Sequence, residues 1–378
     1  MYVILIGMTD FHKEKTDKVI EGMKVAGAQA LLLFPGTDIG YYTGFSIGMS
    51  ERLAAALIPF NDEEPLIIVN QLEQELRGQK PWIKEVDIWL EHEDPIELLA
   101  ENIERLNLDK AVIGVSENAP WGWINRLSVR LPSAFFVDAS EYISHERMIK
   151  TDQELEWMRM ACAITDKALE NSFEKLYTGM TERELASIIQ SEIKSQGGDI
   201  AFVGVLFGVK AALPHGGTSD VPLEPGMGVL VDMGAKIHGY NADLTRTVFY
   251  GEPTKRQKKI YELVKKANQK AFDAVKPGET CDSLDKIARK VITDGGFGEY
   301  FIHRLGHGIG LNVHEHPYIV RNNMLPLEPG MTFTIEPGIY IIDEIGVRVE
   351  DTVVCTQEGC ESLTRMNRNL KSYPIVDK

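Results

Sequence analysis

Residues 303–317 read HRLGHGIGLNVHEHP and hold four of the nine histidines, His303, His307, His314 and His316. Imidazole serves equally as a metal ligand, a proton carrier or a hydrogen-bond donor, so the run acquires a meaning only through its partners. Those partners are carboxylates. The six residues PLEPGM occur at 222–227 and again at 326–331, 104 positions later, each followed by alternating apolar residues that end on an acid, Asp232 in the first copy and Glu336 in the second. The period is too long and the copies too few for a solenoid, so the repeat predicts two halves related by pseudo-symmetry, each delivering a carboxylate at the same register.

Each copy reads as a β-hairpin. In the first, GVLVDMGA and ADLTRTVFY flank KIHGYN, and a turn centred near 237–238 would pair Asp232 with Asp243. In the second, FTIEPGIYII and GVRVEDTVV flank a turn centred on Asp343, which would set Glu336 against Glu350 and point Arg348 into the same space. Solvated acids on an outward face would have polar same-face neighbours, yet Leu230, Gly234, Thr334 and Gly338 occupy those positions. Four converging carboxylates require cations. Oxygen-rich ligation with one imidazole suits a pair of divalent ions such as manganese, cobalt or zinc, of the kind that activates water in two-metal hydrolases.

The set Asp232, Asp243, His307, Glu336 and Glu350, in LVDMGA, NADLTRT, HRLGHGIG, TIEPGIY and VRVED at intervals of 11, 64, 29 and 14, resembles the dinuclear M24 metallopeptidases of pita-bread fold, and prolidases and aminopeptidase P in particular. The resemblance implies that Asp243 and Glu350 bridge two ions, that Asp232 chelates one, and that His307 and Glu336 bind the other. It makes Glu336 the general base, His314 a donor to the scissile carbonyl, His215 and His303 groups that position substrate, and Arg348 an orienter of ligands. His316 has no counterpart and reads as ordinary surface or loop polarity. Tyr318 stands where some microbial prolidases have an arginine that can grip a dipeptide's carboxylate. The glycines at 306, 308 and 310 read as room for the backbone to approach the ions.

The resemblance implies hydrolysis of Xaa-Pro bonds in small peptides with proline second, as a dipeptidase first, with an Xaa-Pro aminopeptidase on longer peptides or a hydrolase or lyase of a non-peptide as alternatives. A homodimer is expected from the same source.

The elements that must position these residues follow from periodicity. ALLLF (30–34), AALIPF (55–60), PLIIV (65–69), AVIGV (111–115) and AFFVD (134–138) are short enough for strands, and 16–28 and 94–107 have helical spacing, which together predict an α/β domain. MYVILIGM at 1–8 lacks a basic n-region and reads as a first strand. From Thr151, with Glu154 three residues on, a long helix opens a second domain, and further helices are predicted at 181–195, 254–275 and 281–295. The fold expected is thus a creatinase-like α/β domain over 1–148 and a pseudo-symmetric pita-bread α+β catalytic domain over 149–378.

In 378 residues, 56 acidic against 40 basic side chains give a net charge of −16, which argues against a nucleic-acid or anionic-membrane surface. Four cysteines without CxxC pairing point to structural thiols in a reducing cytoplasm.

Overall fold

All five apolar runs of the N-terminal part become strands in a computed structural model that describes residues 9–73, 81–214 and 216–377. They are β1 (Ala30–Leu33), β2 (Ala55–Pro59), β3 (Leu66–Asn70), β5 (Val112–Val115) and β6 (Phe135–Asp138), joined by the unexpected β4 (Glu85–Trp89) in a mixed sheet of order β4-β3-β2-β1-β5-β6. EVDIW carries two acids and is only half-buried along most of its length, so its apolar content is too low to signal a strand. Helices α1 (Thr9–Val25), α2 (Thr37–Thr43), α3 (Pro95–Arg105), α4 (Trp121–Arg130) and α5 (Ser140–Met148) accompany the sheet. On α3, capped by the Asp94 carboxylate, Ile96, Leu99, Ala100 and Ile103 form one apolar stripe that packs with Leu32, Leu57, Ile68 and Ile113. The expected helix from residue 16 begins at Thr9 instead. Its polar first turns are buried and used: Thr16 donates to the Tyr42 carbonyl, and His12 Nδ1 meets the Tyr41 carbonyl. The predicted first strand, 1–8, lies outside the described residues.

The chain divides into two compact units between Arg147 and Met148. The second unit opens with α6 (Asp152–Phe173) and α7 (Glu182–Ser195), followed by β7 (Asp199–Phe207), β8 (Gly228–Ile237), β9 (Tyr240–Asn241) and β10 (Leu244–Tyr250). Helices α8 (Lys255–Ala274) and α9 (Cys281–Asp294) come next, then β11 (Gly306–Gly308), β12 (Glu315–Ile319), β13 (Thr332–Ile335), β14 (Gly338–Ile341), β15 (Ile345–Arg348), β16 (Asp351–Cys355), β17 (Cys360–Ser362) and β18 (Ser372–Tyr373). One sheet runs β18-β10-β8-β7 with β9 on β8, a second runs β12-β11-β13-β16-β17, and β14 pairs with β15. Capping boxes at Thr151/Glu154, Thr181/Glu184 and Thr254/Gln257 start three of the four helices. Each helix pair covers one half: Phe173, Leu185 and Ile189 pack on Val205, Val229 and Val231, while Val264, Leu284 and Ala288 pack on Phe333, Ile335 and Val353.

The duplication is visible in hydrogen bonds. Thr181 bridges Pro222 as Thr280 bridges Pro326, and the Gly179 amide donates to the Leu223 carbonyl as that of Gly278 does to Leu327. In both copies the PLEPGM turn uses a glycine with positive φ, 90° at Gly226 and 92° at Gly330, a conformation a side chain would strain.

The first hairpin departs from expectation by one turn position. Its central residues are His238 (φ 49°) and Gly239 (φ 88°), a two-residue turn with both φ positive, and Asp232 therefore pairs with Thr245 rather than with Asp243. The shift is two residues, so the face is kept and Asp243 remains a diagonal neighbour. In the second hairpin the expected register holds. Gly338 pairs with Arg348 and Ile335 with Asp351, which leaves Glu336 and Glu350 at matching positions between the two ladders, with Asp343 (φ 59°) in the turn.

Candidate metal centre

Three of the four acids sit where a ladder is interrupted. Asp243 lies between β9 and β10, Glu336 between β13 and β14, and Glu350 between β15 and β16, while Asp232 is within β8 and His307 is the middle residue of β11. The backbone freed there bonds across the two halves. The Asp243 amide donates to Thr352 Oγ1 (3.1 Å) and the Glu350 amide to the Thr245 carbonyl (3.1 Å), so each half holds a carboxylate of the other.

These bonds bring the side chains together. Single donor atoms of Asp243, His307 and Glu350 lie within 4.8 Å of one another, and all three residues are buried. His307 Nε2 is 3.6 Å from Asp243 Oδ2 and 3.4 Å from Glu336 Oε1. Its Nδ1 is within hydrogen-bond distance of the Gly308 carbonyl (3.1 Å), which fixes the proton there and leaves the Nε2 lone pair facing the acids. Burial, with the neighbouring His314, lowers the His307 pKa to about 3, so the ring stays neutral and able to ligate.

Arg348 is the cation among these acids. Its Nη2 meets Asp232 Oδ2 at 2.5 Å, its Nε donates to Thr245 Oγ1 at 2.8 Å and lies 3.6 Å from Glu350 Oε2, and its Nη1 donates to the Tyr340 hydroxyl at 3.1 Å. The Thr245 hydroxyl passes its own hydrogen to Glu350 Oε2 (2.5 Å). Burial opposes the guanidinium charge, but the surrounding Tyr340 and acids keep its pKa above the ordinary value. One cation does not satisfy four acids. Burial, then the charges of Glu350, Asp232 and Glu336, push Asp243 well above the ordinary carboxylate range, and burial with Glu336 and Asp232 does the same to Glu350. Burial raises Glu336 to about 7 against the pull of Arg348. Buried Oδ1 atoms of both Asp232 and Asp243 lack a hydrogen-bond partner among the described residues. Unpartnered acid oxygens around a neutral imidazole fit divalent cations, whose charge would return the acids to their ionised form.

The histidines of the 303–317 run separate by what they touch. His303 Nδ1 meets the Arg304 carbonyl (2.7 Å) and its Nε2 meets the Tyr340 hydroxyl (3.0 Å), so both ring nitrogens are engaged and burial lowers its pKa to about 4. Its contacts prop Tyr340 and, through it, Arg348. His314 is exposed, with its ring edge-on to His307 at 4.1 Å between centroids. His316 lies in β12 rather than in a loop, half-buried, with its ring 4.7 Å from that of Tyr318. His215 lies outside the described residues, although its neighbour Pro214 lines the same cleft. That cleft, of about 490 Å³, has Phe202, Pro214 and Val313 as apolar wall and Arg304 and His314 beside the acids.

Two of the three glycines are needed for strand packing. A Cβ on Gly306 would collide with the Thr334 carbonyl and one on Gly308 with the His316 carbonyl, so the absent side chains let β11 close against its neighbouring strands. Thr245 and Tyr340 do not figure in the site expected from the sequence, and Thr334 figures only as a same-face neighbour of Glu336. Thr334 accepts from the His307 amide and donates to Glu336 Oε1 (3.3 Å). The available signal was strand parity: 245 lies two residues from Asp243, 334 two from Glu336 and 340 four from it, all at even steps.

Comparison with known proteins agrees with this geometry. Residues 156–357 match the model of metallopeptidase family M24, and residues 15–149 that of the creatinase/prolidase N-terminal domain. The chain is 40% identical to an Xaa-Pro dipeptidase of Lactobacillus delbrueckii subsp. lactis over 366 residues, covering 96% of this chain and 99% of that one. It superposes on the dipeptidase PepE of Mycobacterium ulcerans with a TM-score of 0.92 at 34% identity (97% and 99% covered), and on an X-Pro aminopeptidase of Thermotoga maritima with a TM-score of 0.82 at 31% identity (95% and 99% covered). With five converging ligand candidates and both domain models matched in order, the chain belongs to metallopeptidase family M24.

Proposed function

We propose that this protein hydrolyses the bond before proline in Xaa-Pro dipeptides, with two divalent ions held by Asp232, Asp243, His307, Glu336 and Glu350. The observation that carries the reading is the convergence of Asp243, His307 and Glu350 on one buried point, with Asp232 and Glu336 beside it. The dipeptidase names of similar proteins support the substrate. In this reading Asp243, Glu350 and His307 would hold the ions at the buried point, with Asp232 and Glu336 completing the ligand set. When bound, such a pair supplies Lewis acidity and lowers the pKa of water. Manganese is the metal we expect, since oxygen ligands dominate the set.

Glu336, ionised once cations are bound, would take a proton from the attacking water at its carboxylate and return it to the leaving amine. His314, exposed at the cleft beside His307, would donate to the scissile carbonyl oxygen. Arg348 and Thr245 hold Asp232 and Glu350 in place. Residues 149–378 carry the chemistry and 1–148 form the accompanying domain. Four cysteines present as free thiols support a cytoplasmic protein. The exposed Phe135 and Val137 on edge strand β6 support a homodimer, which light scattering tests.

The experiment is hydrolysis of Ala-Pro and Ala-Pro-Ala by manganese-loaded protein. Turnover of Ala-Pro with little of the tripeptide is expected. Comparable tripeptide turnover would move the activity to an aminopeptidase, a reading favoured by the likeness to the Thermotoga maritima structure. No turnover of either would remove Xaa-Pro peptides as substrates.

A further inference from the structure

His314 and its neighbour Glu315 stand on opposite sides of the chain. Glu315 opens β12 and is buried, whereas His314 is exposed, as the alternation of a strand requires. The Glu315 carboxylate meets the Lys150 ammonium at 2.7 Å, with the two side chains only 7% and 1% exposed. Apolar side chains of that size often stabilise a fold as well, so what a buried ion pair adds is a directional constraint.

Strand pairing by itself does not hold His314. His307 pairs with Tyr318 and Gly308 with Glu315, a break in register after which residues 309–314 lie outside any strand. The first half of that turn is tied down by neutral groups. The Ile309 carbonyl accepts from Thr332 Oγ1 (2.6 Å), and those of Gly310 and Leu311 accept from the Asn241 amide side chain (2.9 Å each). The second half is held through Glu315. Its Oε1 takes Lys150, while its Oε2 accepts from the Asn312 amide at 3.3 Å. Lys150 is rooted in turn by its own amide on the Gly330 carbonyl (3.0 Å), in the second PLEPGM turn. Gly310 completes the clamp. A Cβ there would lie 2.6 Å from Glu315 Oε1 and 2.9 Å from Lys150 Cε, so this glycine makes room for the ion pair.

We propose that Lys150 and Glu315 are positioning residues that fix the 309–314 turn and thereby aim His314 into the cleft. The placement of that turn decides how His314 stands to His307, 4.1 Å away between ring centroids. Neither Lys150 nor Glu315 lines the cleft, so both act through the histidine. The assignment rests on the role given to His314 above. Without the pair the turn is held at one end only, and the histidine is aligned for less of the time; kcat falls while KM, set by the rest of the cleft, is kept.

The test compares kcat and KM of the manganese-loaded protein for Ala-Pro in wild type, Glu315→Gln, His314→Ala and the variant carrying both changes. Glu315→Gln is expected to lower kcat by about tenfold to 10²-fold with KM within about threefold, the scale of a small misplacement of a reacting group. In the His314→Ala background the same change is expected to lower kcat no further, because its effect passes through the histidine. Gly310→Ala presses on the pair from the turn and leaves both charges in place; it is expected to reproduce the loss, and it carries the test if Glu315→Gln does not fold. Manganese content is expected to equal that of wild type throughout. Additive losses in the combined variant, a loss that follows loss of manganese, or wild-type kcat in Glu315→Gln or Gly310→Ala overturns the assignment and leaves the role of His314 standing. Normal turnover in His314→Ala removes that role and the assignment with it, and wild type that leaves Ala-Pro intact removes the Xaa-Pro reading beneath both.

Discussion

Thr245 stands directly across the first hairpin from Asp232, and the two share Arg348, which bonds Thr245 Oγ1 through Nε and Asp232 through Nη2. Since Thr245 also donates to Glu350, a single hydroxyl links an acid of one duplicated half to an acid of the other through a neutral group. The pairing of two aspartates suggested by the sequence would have opposed like charges; a threonine in that place removes one of them from the cross-strand pair.

Replacing Thr245 by valine keeps the shape and deletes the link. Arg348 Nε and Glu350 Oε2 each lose a buried partner, and the expected cost is about 1–3 kcal/mol in urea unfolding of the metal-free protein. Valine stability equal to wild type would show that the hydroxyl bears none of this.

Metal removal should make stability depend on pH in a stated direction. In the unfolded chain Glu336 titrates near its ordinary value of 4.5, and in the fold near about 7. The folded state therefore binds that proton more tightly. The contribution is fully present below pH 4.5 and is lost as pH rises through 7, and Asp243 and Glu350 act in the same direction. The buried His303 and His307, lowered from 6.5 to about 4 and about 3, act oppositely up to about pH 6.5, so thermal unfolding in chelator should show Tm falling from about pH 6.5 to about pH 8, with manganese removing most of the slope. A chelated protein with a Tm that is flat or rising over that window contradicts the account.

Glu336→Gln tests the base. A loss in kcat of about 10²–10⁴-fold is expected for a positioned proton carrier. Near-normal turnover would assign the proton to another group.

The two neighbouring histidines should differ sharply. His314→Ala is expected to lower kcat by about 10²–10³-fold, as for loss of one donor to a developing oxyanion, whereas His316→Ala, which loses a contact with Tyr318, stays within about threefold. Equal effects at the two positions would mean that His314 does not reach the substrate.

What could be read from the sequence was local or repeated. Apolar runs marked β1, β2, β3, β5 and β6, Thr-x-x-Glu marked α6 and α7, and the doubled PLEPGM pointed to Asp232 and Glu336 without reference to any fold. The register of the second hairpin followed from its turn at Asp343, while the first slipped because His238, and not the residue before it, takes up positive φ. Tyr340 was out of reach for another reason. It acquires its meaning from partners brought close only by the tertiary fold, His303 and Arg348. Helices α2 and α4 begin after Gly36 and Pro120 with no side-chain cap, and so lack the start signal that marked the longer helices.

Arg348 has a consequence beyond the ligands it orients. It comes from the second duplicated copy yet bonds Asp232 and Thr245 of the first, as well as Tyr340 of its own. One side chain thereby staples the two copies together at the point where their acids meet, so that a single position serves both the site and the seam between the halves that build it.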